Sequence, residues 1–354
     1  MECSCIGLTI MNEQLNTKES EDEKLVINAL GKWKHLYEDE LNDVNKFIAE
    51  SIDSDASLII SIINHILSSG GKRIRPILTI LSAKLCGYEG SRHVALATAI
   101  EFFHTATLLH DDVVDESSMR RGVPTANSVW DNSASVLVGD YLLSKAFQII
   151  SRDGSLKVLR ILSDSSAIIT EGEVKQLMAT NDLTTNKDQY IDIISSKTSQ
   201  LFVAACQVGA VISEQQAKKE KALEFFGRNL GTAFQIIDDT LDYSAKQEQL
   251  GKEIGDDFRE GKVTLPIILA YQRADKAEKR FLERSIEWAA DGLQEKGDFE
   301  RTVKLIEKYD VLEDSIETAK EYAGRAKQNL SVFPDGEIKQ SLLDILDFSV
   351  NREY

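Results

Sequence analysis

Apolar residues recur at spacings of three and four along most of this chain, and few segments alternate strictly between apolar and polar positions. Spacings of three and four are typical of amphipathic α-helices, whereas strict alternation indicates half-buried β-strands. The pattern therefore predicts an all-α protein. Several helical segments follow Pro266. Before it, the helical period is clearest in seven segments: Leu25–Ser51, Leu58–Leu67, Val94–Leu109, Ala134–Ile150, Leu156–Met178, Gln189–Ile212 and Lys218–Tyr243.

The chain changes in composition only near its start, where a polar and charged stretch precedes the first helical segment. We predict a flexible acidic N-terminal tail over residues 1–24 and one helical domain over residues 25–354. Two long connections, Glu116–Pro124 and Ser244–Lys262, are polar and contain glycine. Connections of this kind often contain functional residues, and we expect both to do so.

The 354 residues include 41 Lys and Arg against 58 Asp and Glu, a formal net charge of −17, and 42% of them are hydrophobic. The apolar fraction is sufficient for a packed core. The acidic excess argues against a nucleic-acid-binding protein held by phosphate contacts, and against docking on anionic membranes. Taken alone, it also argues against a phosphate-rich substrate, but the motifs of the chain reverse that conclusion.

Four cysteines are too few and too scattered for a disulfide framework or a zinc site. No apolar run reaches the roughly 18 residues that a membrane-spanning helix needs. The first eleven residues have no basic region before their short apolar stretch, and Met11 is an alternative start. We therefore expect no transmembrane segment, no signal peptide and a reducing, cytoplasmic location.

Two acidic clusters of identical spacing end apolar stretches of predicted helix. The first contains Asp111, Asp112 and Asp115, and the second contains Asp238, Asp239 and Asp242. In each cluster the first and last aspartates are four residues apart, so both carboxylates project from one helix face. Like charges at this spacing destabilise a helix unless something neutralises them. A solvated acidic face would explain either cluster alone. Two copies favour Mg²⁺, which takes one or two carboxylates and completes its shell with water and phosphate.

Cationic side chains accompany both clusters. A glycine pair precedes the first two cations in GGKRIRP, and such a pair at a helix start exposes amide donors to an anion. Any single cation is more simply a solvated surface charge, but their joint placement predicts a polyphosphate site. The cationic candidates are Lys72, Arg75, Arg120, Arg121, Lys197 and Lys252.

One histidine is a further candidate. His104 lies seven residues before Asp111, two helical turns away, so that both can face the same cavity. A lone histidine on an apolar helix is more often a core residue, but the nearby cations favour a hydrogen bond to phosphate. We expect His110 to be structural, and the other three histidines to lie at the surface: His35, His65 and His93.

Together these residues resemble the family of all-trans polyprenyl diphosphate synthases. The resemblance covers roughly residues 25–335 and follows the family's order: GGKRIRP, HTATLLHDDVVDESSMRRGVPTAN, GEVKQL, SSKTSQLF and GTAFQIIDDTLDYSAKQEQLGKEIGDDFREGKVTLP. Two residues separate the aspartate pair from the last aspartate of the first cluster, whereas bacterial short-chain farnesyl synthases typically have four. The chain is most similar to the bacterial octaprenyl diphosphate synthase group, which supplies the side chain of ubiquinone or menaquinone.

The resemblance implies a fold and a metal site. The implied fold is a single large helical bundle around a deep central cavity, the isoprenoid synthase fold, assembled as a homodimer. Three Mg²⁺ ions are implied, with Mn²⁺ as a possible substitute. The implied metal ligands are Asp111 and Asp115, supported by Asp112, and Asp238, aided by Asp239 and Asp242. The implied catalytic set is Asp111, Asp112, Asp115, Lys197, Asp238 and Asp239.

The resemblance also implies which residues bind the two substrates. The diphosphate of isopentenyl diphosphate would be bound by Lys72, Arg75, His104 and Arg121. The allylic diphosphate, with farnesyl diphosphate as the expected primer, would be bound by Arg120, Lys197 and Lys252. Thr198 and Gln235 would line the site of the carbocation, with Gln176 as a weaker candidate.

The implied reaction is a Mg²⁺-dependent head-to-tail (1′-4) condensation that yields a product of about forty carbons. Ala106, five residues before Asp111, is small, whereas an aromatic residue there stops growth at a short product in the family. Phe103 lies about 4.5 Å further along the helix. It either forms a deeper floor of the cavity or packs against a neighbouring helix.

Several alternatives stay open at this stage. One is a synthase of shorter products, from geranylgeranyl to heptaprenyl diphosphate. Another is an HD-type metal phosphohydrolase with His110 and Asp111 as ligands, which would leave the second cluster unexplained. A partner subunit without activity should have lost some of the aspartates or cations, and a terpene cyclase would not need Lys72, Arg75 and His104.

Overall fold

The computed structural model describes residues 36–68, 71–120, 122–244, 254–289 and 292–352. Within those ranges the prediction of an all-α protein is confirmed. In chain order the helices are α1 (Glu38–Ser51), α2 (Ser57–Ser68), α3 (Ile74–Leu85), α4 (Arg92–Val114), α5 (Ala126–Val129), α6 (Asn132–Asp153), α7 (Leu156–Ala179), α8 (Lys187–Ile194), α9 (Gln200–Ile212), α10 (Ala217–Leu241), α11 (Asp256–Arg259), α12 (Leu265–Arg273), α13 (Lys276–Glu287), α14 (Asp298–Lys308), α15 (Val311–Asn329) and α16 (Glu337–Val350).

Short hydrogen-bonded segments join several of these helices. A π-helical segment, Ser195–Ser199, connects α8 to α9, and a 3₁₀ turn, Leu330–Val332, follows α15. A departure from the all-helical pattern is a small antiparallel hairpin of β1 (Met119–Arg120) and β2 (Val123–Pro124). Gly122 supplies the left-handed backbone conformation of its turn, with φ +74°. The hairpin therefore shapes the polar connection after the first acidic cluster.

Local sequence explains where several helices begin. The Asp131 side chain accepts a hydrogen bond from the Ala134 amide at the start of α6. Asn186 and Gln189 form a reciprocal capping box at the start of α8. These short polar side chains satisfy amide groups that have no partner within the helix. The resulting helix starts fix the direction of the long helices around the core.

The main apolar core lies where α3, α4, α9 and part of α10 are buried. Helix α4 packs against α6, and α9 packs against α3 and α10. A second apolar cluster forms around α12, and α10 contributes Leu230 to the first cluster and Ile236 to the second. Helices that are apolar on several faces, such as α4 and α9, require neighbours on all of those faces.

Some predictions about the chain as a whole remain open. The predicted acidic tail over residues 1–24 lies outside the described residues, and the single helical domain over residues 25–354 stays a prediction. Among the described helices, none combines the length and the apolar character needed to cross a bilayer.

The expectation that His93 lies at the surface is wrong, because its ring is buried and meets the Tyr88 ring edge-on.

Candidate active site

A cavity of about 1000 Å³ opens among these helices and collects most of the predicted site residues. Its wall includes side chains from α3, α4, α7, α8, the π-helical segment, α10 and the chain's C-terminal region. The predicted residues that line it are Lys72, Arg75, His104, Asp111, Asp115, Arg120, Gln176, Lys197, Thr198, Gln235, Asp238, Asp239 and Asp242. Arg121 and Lys252 lie outside the described residues.

The first acidic cluster sits at the C-terminal end of α4, and each of its aspartates faces a cation. Nζ of Lys262 is 2.9 Å from Oδ2 of Asp115. Asp112 is buried behind the cavity wall and accepts a hydrogen bond from Nε of Arg120 at 2.8 Å, and Nη2 of Arg120 forms an ion pair with the same oxygen at 2.8 Å. Since carboxylates are unfavourable at the negative end of a helix dipole, these cations stabilise the cluster.

Lys197 connects the first cluster to α7. Its Nζ lies 2.7 Å from a carboxylate oxygen of Glu173 and 4.0 Å from Oδ2 of Asp111. Burial raises the pKa of Asp111, and the charge of Lys197 opposes that rise. Burial, together with the charge of Asp111, raises the pKa of Glu173 to about 7. Three ionisable groups therefore share this part of the wall.

The π-helical segment explains how Lys197 and Thr198 reach the cavity from an apolar helix. The extra residue in such a turn shifts side chains to a different helix face, and π-turns are frequent at functional sites. Gly172 of α7 faces this segment, and a Cβ there would lie 2.6 Å from the Lys197 amide nitrogen. A glycine at position 172 thus lets α7 approach the segment closely.

The second acidic cluster sits at the C-terminal end of α10 and has different partners. Nη1 of Arg352 is 3.2 Å from Oδ1 of Asp238. The Tyr190 hydroxyl donates to Oδ2 of Asp239 at 2.6 Å, and Nε2 of Gln235 donates to its Oδ1 at 2.6 Å. Both oxygens of Asp239 are therefore engaged by uncharged donors.

Asp242 is held by backbone amides. It accepts hydrogen bonds from the amides of Gly255, Asp256 and Asp257 at 3.0, 3.2 and 3.0 Å. Burial raises the pKa of Asp242 to about 6 and that of Asp239 to about 7, while their hydrogen bonds act in the opposite direction. Within the cluster, Asp238 has the most exposed carboxylate, with 55% of its side chain accessible.

Lys72 and Arg73 lie just before the start of α3, and Arg75 lies in its first turn. Nη1 of Arg75 is 3.1 Å from Nε2 of His104, and the Arg75 guanidinium lies 4.5 Å from the ring centroid of Phe202. Arg73 adopts a left-handed conformation with φ +52° and forms an ion pair with the buried Glu101. This arrangement brings Lys72, Arg75 and His104 into the wall of the same cavity.

The chain-length candidates are placed differently. Phe103 and Ala106 are both buried, and neither is among the residues that line the cavity. The Phe103 ring meets the Phe147 ring of α6 edge-on, with centroids 5.4 Å apart. The geometry therefore matches the alternative in which Phe103 packs against a neighbouring helix.

His110 is directed at α6. Its Nε2 lies 3.2 Å from the Val136 carbonyl oxygen and 3.5 Å from Oδ1 of Asp140. His110 does not line the cavity, although Asp111 does. This placement separates the two residues that an HD-type metal site would need to bring together.

Several residues of the site were not singled out by the sequence. Glu173 lies in GEVKQL beside the weaker candidate Gln176, and Lys262 lies in the same polar connection as Lys252, so position in these segments was a usable signal. Tyr190 and Arg352 belong to no acidic or cationic motif. The packing of distant parts of the chain brings Tyr190 to Asp239 and Arg352 to Asp238.

Comparison with known proteins agrees with this geometry. A family model described as polyprenyl synthetase matches residues 56–306, which is more than half of the chain. The chain belongs to the polyprenyl synthetase family, and it is a trans-prenyltransferase.

Individual relatives cover nearly the whole chain. It is 44% identical over 324 residues to the octaprenyl diphosphate synthase of Escherichia coli, covering 92% of this chain and 99% of the relative. A crystal structure of a decaprenyl diphosphate synthase from Rhodobacter capsulatus superposes with a TM-score of 0.87 at 44% identity, covering 92% of this chain and 100% of that one. A crystal structure of a polyprenyl synthase from Caulobacter crescentus, complexed with calcium and isoprenyl diphosphate, superposes with a TM-score of 0.86 at 41% identity. The match covers 95% of this chain and 99% of that one.

Proposed function

We propose that this trans-prenyltransferase condenses isopentenyl diphosphate head to tail (1′-4) onto an allylic diphosphate and stops near forty carbons, as an octaprenyl diphosphate synthase. The observation that carries the proposal is that both aspartate clusters line one cavity together with Lys72, Arg75 and His104. Two groups of charged residues in one cavity suit two diphosphates. The cavity volume of about 1000 Å³ is at the upper end for a small-molecule site.

The carboxylates of this cavity fit Mg²⁺. Asp111, Asp115 and Asp238 line it, and Lys197, Lys262 and Arg352 lie against them. Within the described ranges, no three His, Cys, Asp or Glu side chains form a group that could hold a metal ion. A hard ion that keeps several waters and binds substrate phosphates needs only one or two carboxylates at each site. We propose three Mg²⁺ ions, held by Asp111 and Asp115 with Asp112 in support, and by Asp238 with Asp239 and Asp242.

The cations of the cavity would orient the two substrates. Lys72, Arg75 and His104 bind the diphosphate of isopentenyl diphosphate, while Arg120 and Lys197 bind the allylic diphosphate. Asp112 directs Arg120 by accepting a hydrogen bond from its Nε and by pairing with its Nη2. Arg121 stays a predicted partner of the diphosphate of isopentenyl diphosphate, and Lys252 stays a predicted partner of the allylic diphosphate.

The chemistry needs no protein nucleophile. When bound, Mg²⁺ neutralises charge that develops on the departing pyrophosphate. The allylic C–O bond breaks, and Thr198 and Gln235 present oxygen lone pairs to the resulting positive charge. The alkene of isopentenyl diphosphate then forms the new carbon–carbon bond. Loss of a proton to the pyrophosphate restores a double bond.

The product length is the finest part of the proposal. It is supported by the octaprenyl synthases among the relatives, and by the small residue Ala106 at the position where the resemblance implies that an aromatic side chain would stop growth. A shorter product, from geranylgeranyl to heptaprenyl diphosphate, is the alternative. Replacing Phe103 by Ala tests its predicted role, with Phe281→Ala as a control because Phe281 is buried in a separate apolar cluster. An unchanged product distribution for Phe103→Ala would remove Phe103 from the determinants of length.

We also propose a homodimer in the cytoplasm, serving a quinone side chain such as that of ubiquinone. The homodimer is supported by large apolar side chains exposed on two adjacent helices: Val136, Leu137 and Phe147 on α6, and Val174, Leu177 and Met178 on α7. Light scattering of the purified protein tests the dimer, and a monomer at micromolar concentration would contradict it.

The decisive experiment is incubation of the purified protein with Mg²⁺, labelled isopentenyl diphosphate and farnesyl diphosphate, followed by separation of the products by length. We expect a labelled product near forty carbons, and none after treatment with EDTA. Absence of any labelled prenyl product would refute the function. Release of inorganic phosphate from nucleotides would instead support the phosphohydrolase.

A further inference from the structure

A continuous chain of hydrogen bonds runs along the cavity wall from α8 through α10 to the π-helical segment. The Tyr190 hydroxyl donates to Asp239 at 2.6 Å, and Nε2 of Gln235 donates to the other oxygen of Asp239 at 2.6 Å. The Thr198 hydroxyl in turn donates to Oε1 of Gln235 at 3.0 Å. All four residues line the cavity.

The direction of every bond in this chain follows from chemistry. The Gln235 amide nitrogen can only donate and the Tyr190 hydroxyl carries a proton, and these two groups face the two oxygens of Asp239. The amide oxygen of Gln235 must then face Thr198, and an amide oxygen only accepts.

The last bond decides the orientation of the Thr198 hydroxyl. Its single proton is committed to Gln235, so its two lone pairs are left for other directions. If the Gln235 amide were reversed, its NH₂ group would face Thr198, and the hydroxyl would be free to turn its proton toward the cavity. A positive charge beside Thr198 is stabilised by the first orientation and destabilised by the second.

We propose that Tyr190 is a positioning residue for the condensation, which acts through Asp239 and Gln235 to fix the Thr198 lone pairs toward the carbocation. The inference rests on the proposed function, in which Thr198 and Gln235 line the carbocation site. Tyr190 holds one oxygen of Asp239, so that the other is aimed at the Gln235 amide nitrogen. Because these partners are in place before reaction, no reorganisation is needed when charge develops.

The first test is Tyr190→Phe, which removes only the hydroxyl. We expect kcat to fall about tenfold, with the KM values of both diphosphates and the Mg²⁺ dependence within twofold of wild type. Tyr271→Phe is the matched control, because Tyr271 also donates to a carboxylate at 2.6 Å, that of Glu283, but does not line the cavity. Its kinetics should equal those of wild type.

A second test separates this role from a structural one. Tyr190→Phe is combined with Thr198→Val, which lacks the hydroxyl, and with Thr198→Ser, which keeps it. We expect Tyr190→Phe to reduce kcat about tenfold in the Ser background and less than twofold in the Val background. Thermal unfolding of each variant, with rates normalised to the folded fraction, accounts for any loss of stability.

The outcomes distinguish the two levels of the proposal. If the wild-type protein makes no elongated product, the proposed function itself fails. If the wild type is active, the function stands, and three results would refute the positioning role of Tyr190. Tyr190→Phe could leave kcat unchanged, or it could change mainly KM or the Mg²⁺ dependence. It could also reduce kcat by the same factor in both Thr198 backgrounds.

Discussion

The two acidic clusters share the pattern D-D-x-x-D, yet their surroundings differ. Each aspartate of the first cluster faces a Lys or Arg side chain. Among the residues that the structure describes, Asp238 alone in the second cluster faces a cation, whereas Asp239 and Asp242 are held by a phenol, an amide side chain and backbone amides. Equal spacing therefore produces one cluster balanced by charge and another balanced mainly by neutral hydrogen bonds.

This difference indicates that the three aspartates of the second cluster have different roles. A carboxylate whose oxygens are already engaged by several donors has less capacity for a metal than one that is exposed. Asp238 is 55% exposed, whereas Asp239 is buried. We expect Asp238 to dominate metal binding in the second cluster, with Asp239 and Asp242 acting largely on the groups around it. In the first cluster, Asp111 and Asp115 share that task.

The largest effect should come from carboxylates that line the cavity and are proposed to hold the metal. Asp111→Asn and Asp238→Asn should each lower kcat/KM about a thousandfold or more, because each removes charge from a proposed metal site. Asp335→Asn is the control, since Asp335 is 99% exposed beside Lys339. Steady-state kinetics over a range of Mg²⁺ concentrations measures the effect. Full activity of Asp238→Asn would show that the second cluster does not need its exposed carboxylate.

A smaller effect is expected from Asp242→Asn. The amide NH₂ cannot accept the hydrogen bond from Asp257, so a donor is left facing a donor. Hydrogen bonds to charged groups contribute about 1.5–3 kcal/mol, and we expect a loss of about 2 kcal/mol in the free energy of unfolding. Chemical denaturation of EDTA-treated protein measures this loss. A stability equal to that of wild type would contradict the anchoring role of Asp242.

The metal-free protein should lose stability as pH rises. Burial raises the pKa of Asp239 to about 7 and that of Asp242 to about 6, so between about pH 4 and pH 7 the folded state binds more protons than the unfolded state. Their contribution is fully present below about pH 4 and is lost as pH rises through these values. We expect a measurable decline in the free energy of unfolding from this source over that range.

Denaturation of EDTA-treated protein at several pH values, compared with Asp239→Asn, isolates this contribution. The variant should show a shallower decline in stability between pH 5 and pH 7.5, since an amide does not titrate. Parallel curves for the two proteins would show that Asp239 does not contribute to the pH dependence.

The smallest effect concerns the cation of the second cluster. Arg352 is 4% exposed, pairs with Asp238 and lies 3.9 Å from the Phe234 ring centroid. Because Asp238 is largely exposed, we expect Arg352→Ala to cost only about 1 kcal/mol of unfolding free energy. Arg325→Ala is the matched control, as Arg325 and its partner Glu321 are both more than half exposed. Equal stability losses in the two variants would place the Arg352 pair among ordinary surface pairs.

Much of the candidate site follows from local spacing. Residues four apart share a helix face wherever the helix lies, so the pairing of Asp111 with Asp115 is set by the chain itself. His104 and Asp111 are seven residues apart and share a helix face for the same reason. His104, Asp111 and Asp115 all line the cavity. The apolar period likewise predicts most helices, because it reflects which faces must be buried.

Phe103 illustrates where spacing stops being informative. One helical turn separates it from Ala106, but whether its ring faces the cavity or α6 depends on how α4 rotates against its neighbours. The contact with Phe147 settles that orientation in favour of α6. The hairpin of β1 and β2 is a similar case, since strands of two residues are too short to show a period.

The sequence alone determined the all-helical architecture, the two acidic helix faces and most of the cations that line the cavity, because each is expressed within a few turns of one helix. The tertiary structure decided which partner each carboxylate has. Lys262 reaches Asp115 across 147 positions and Arg352 reaches Asp238 across 114. Such pairs depend on how helices pack, and no local period records that information.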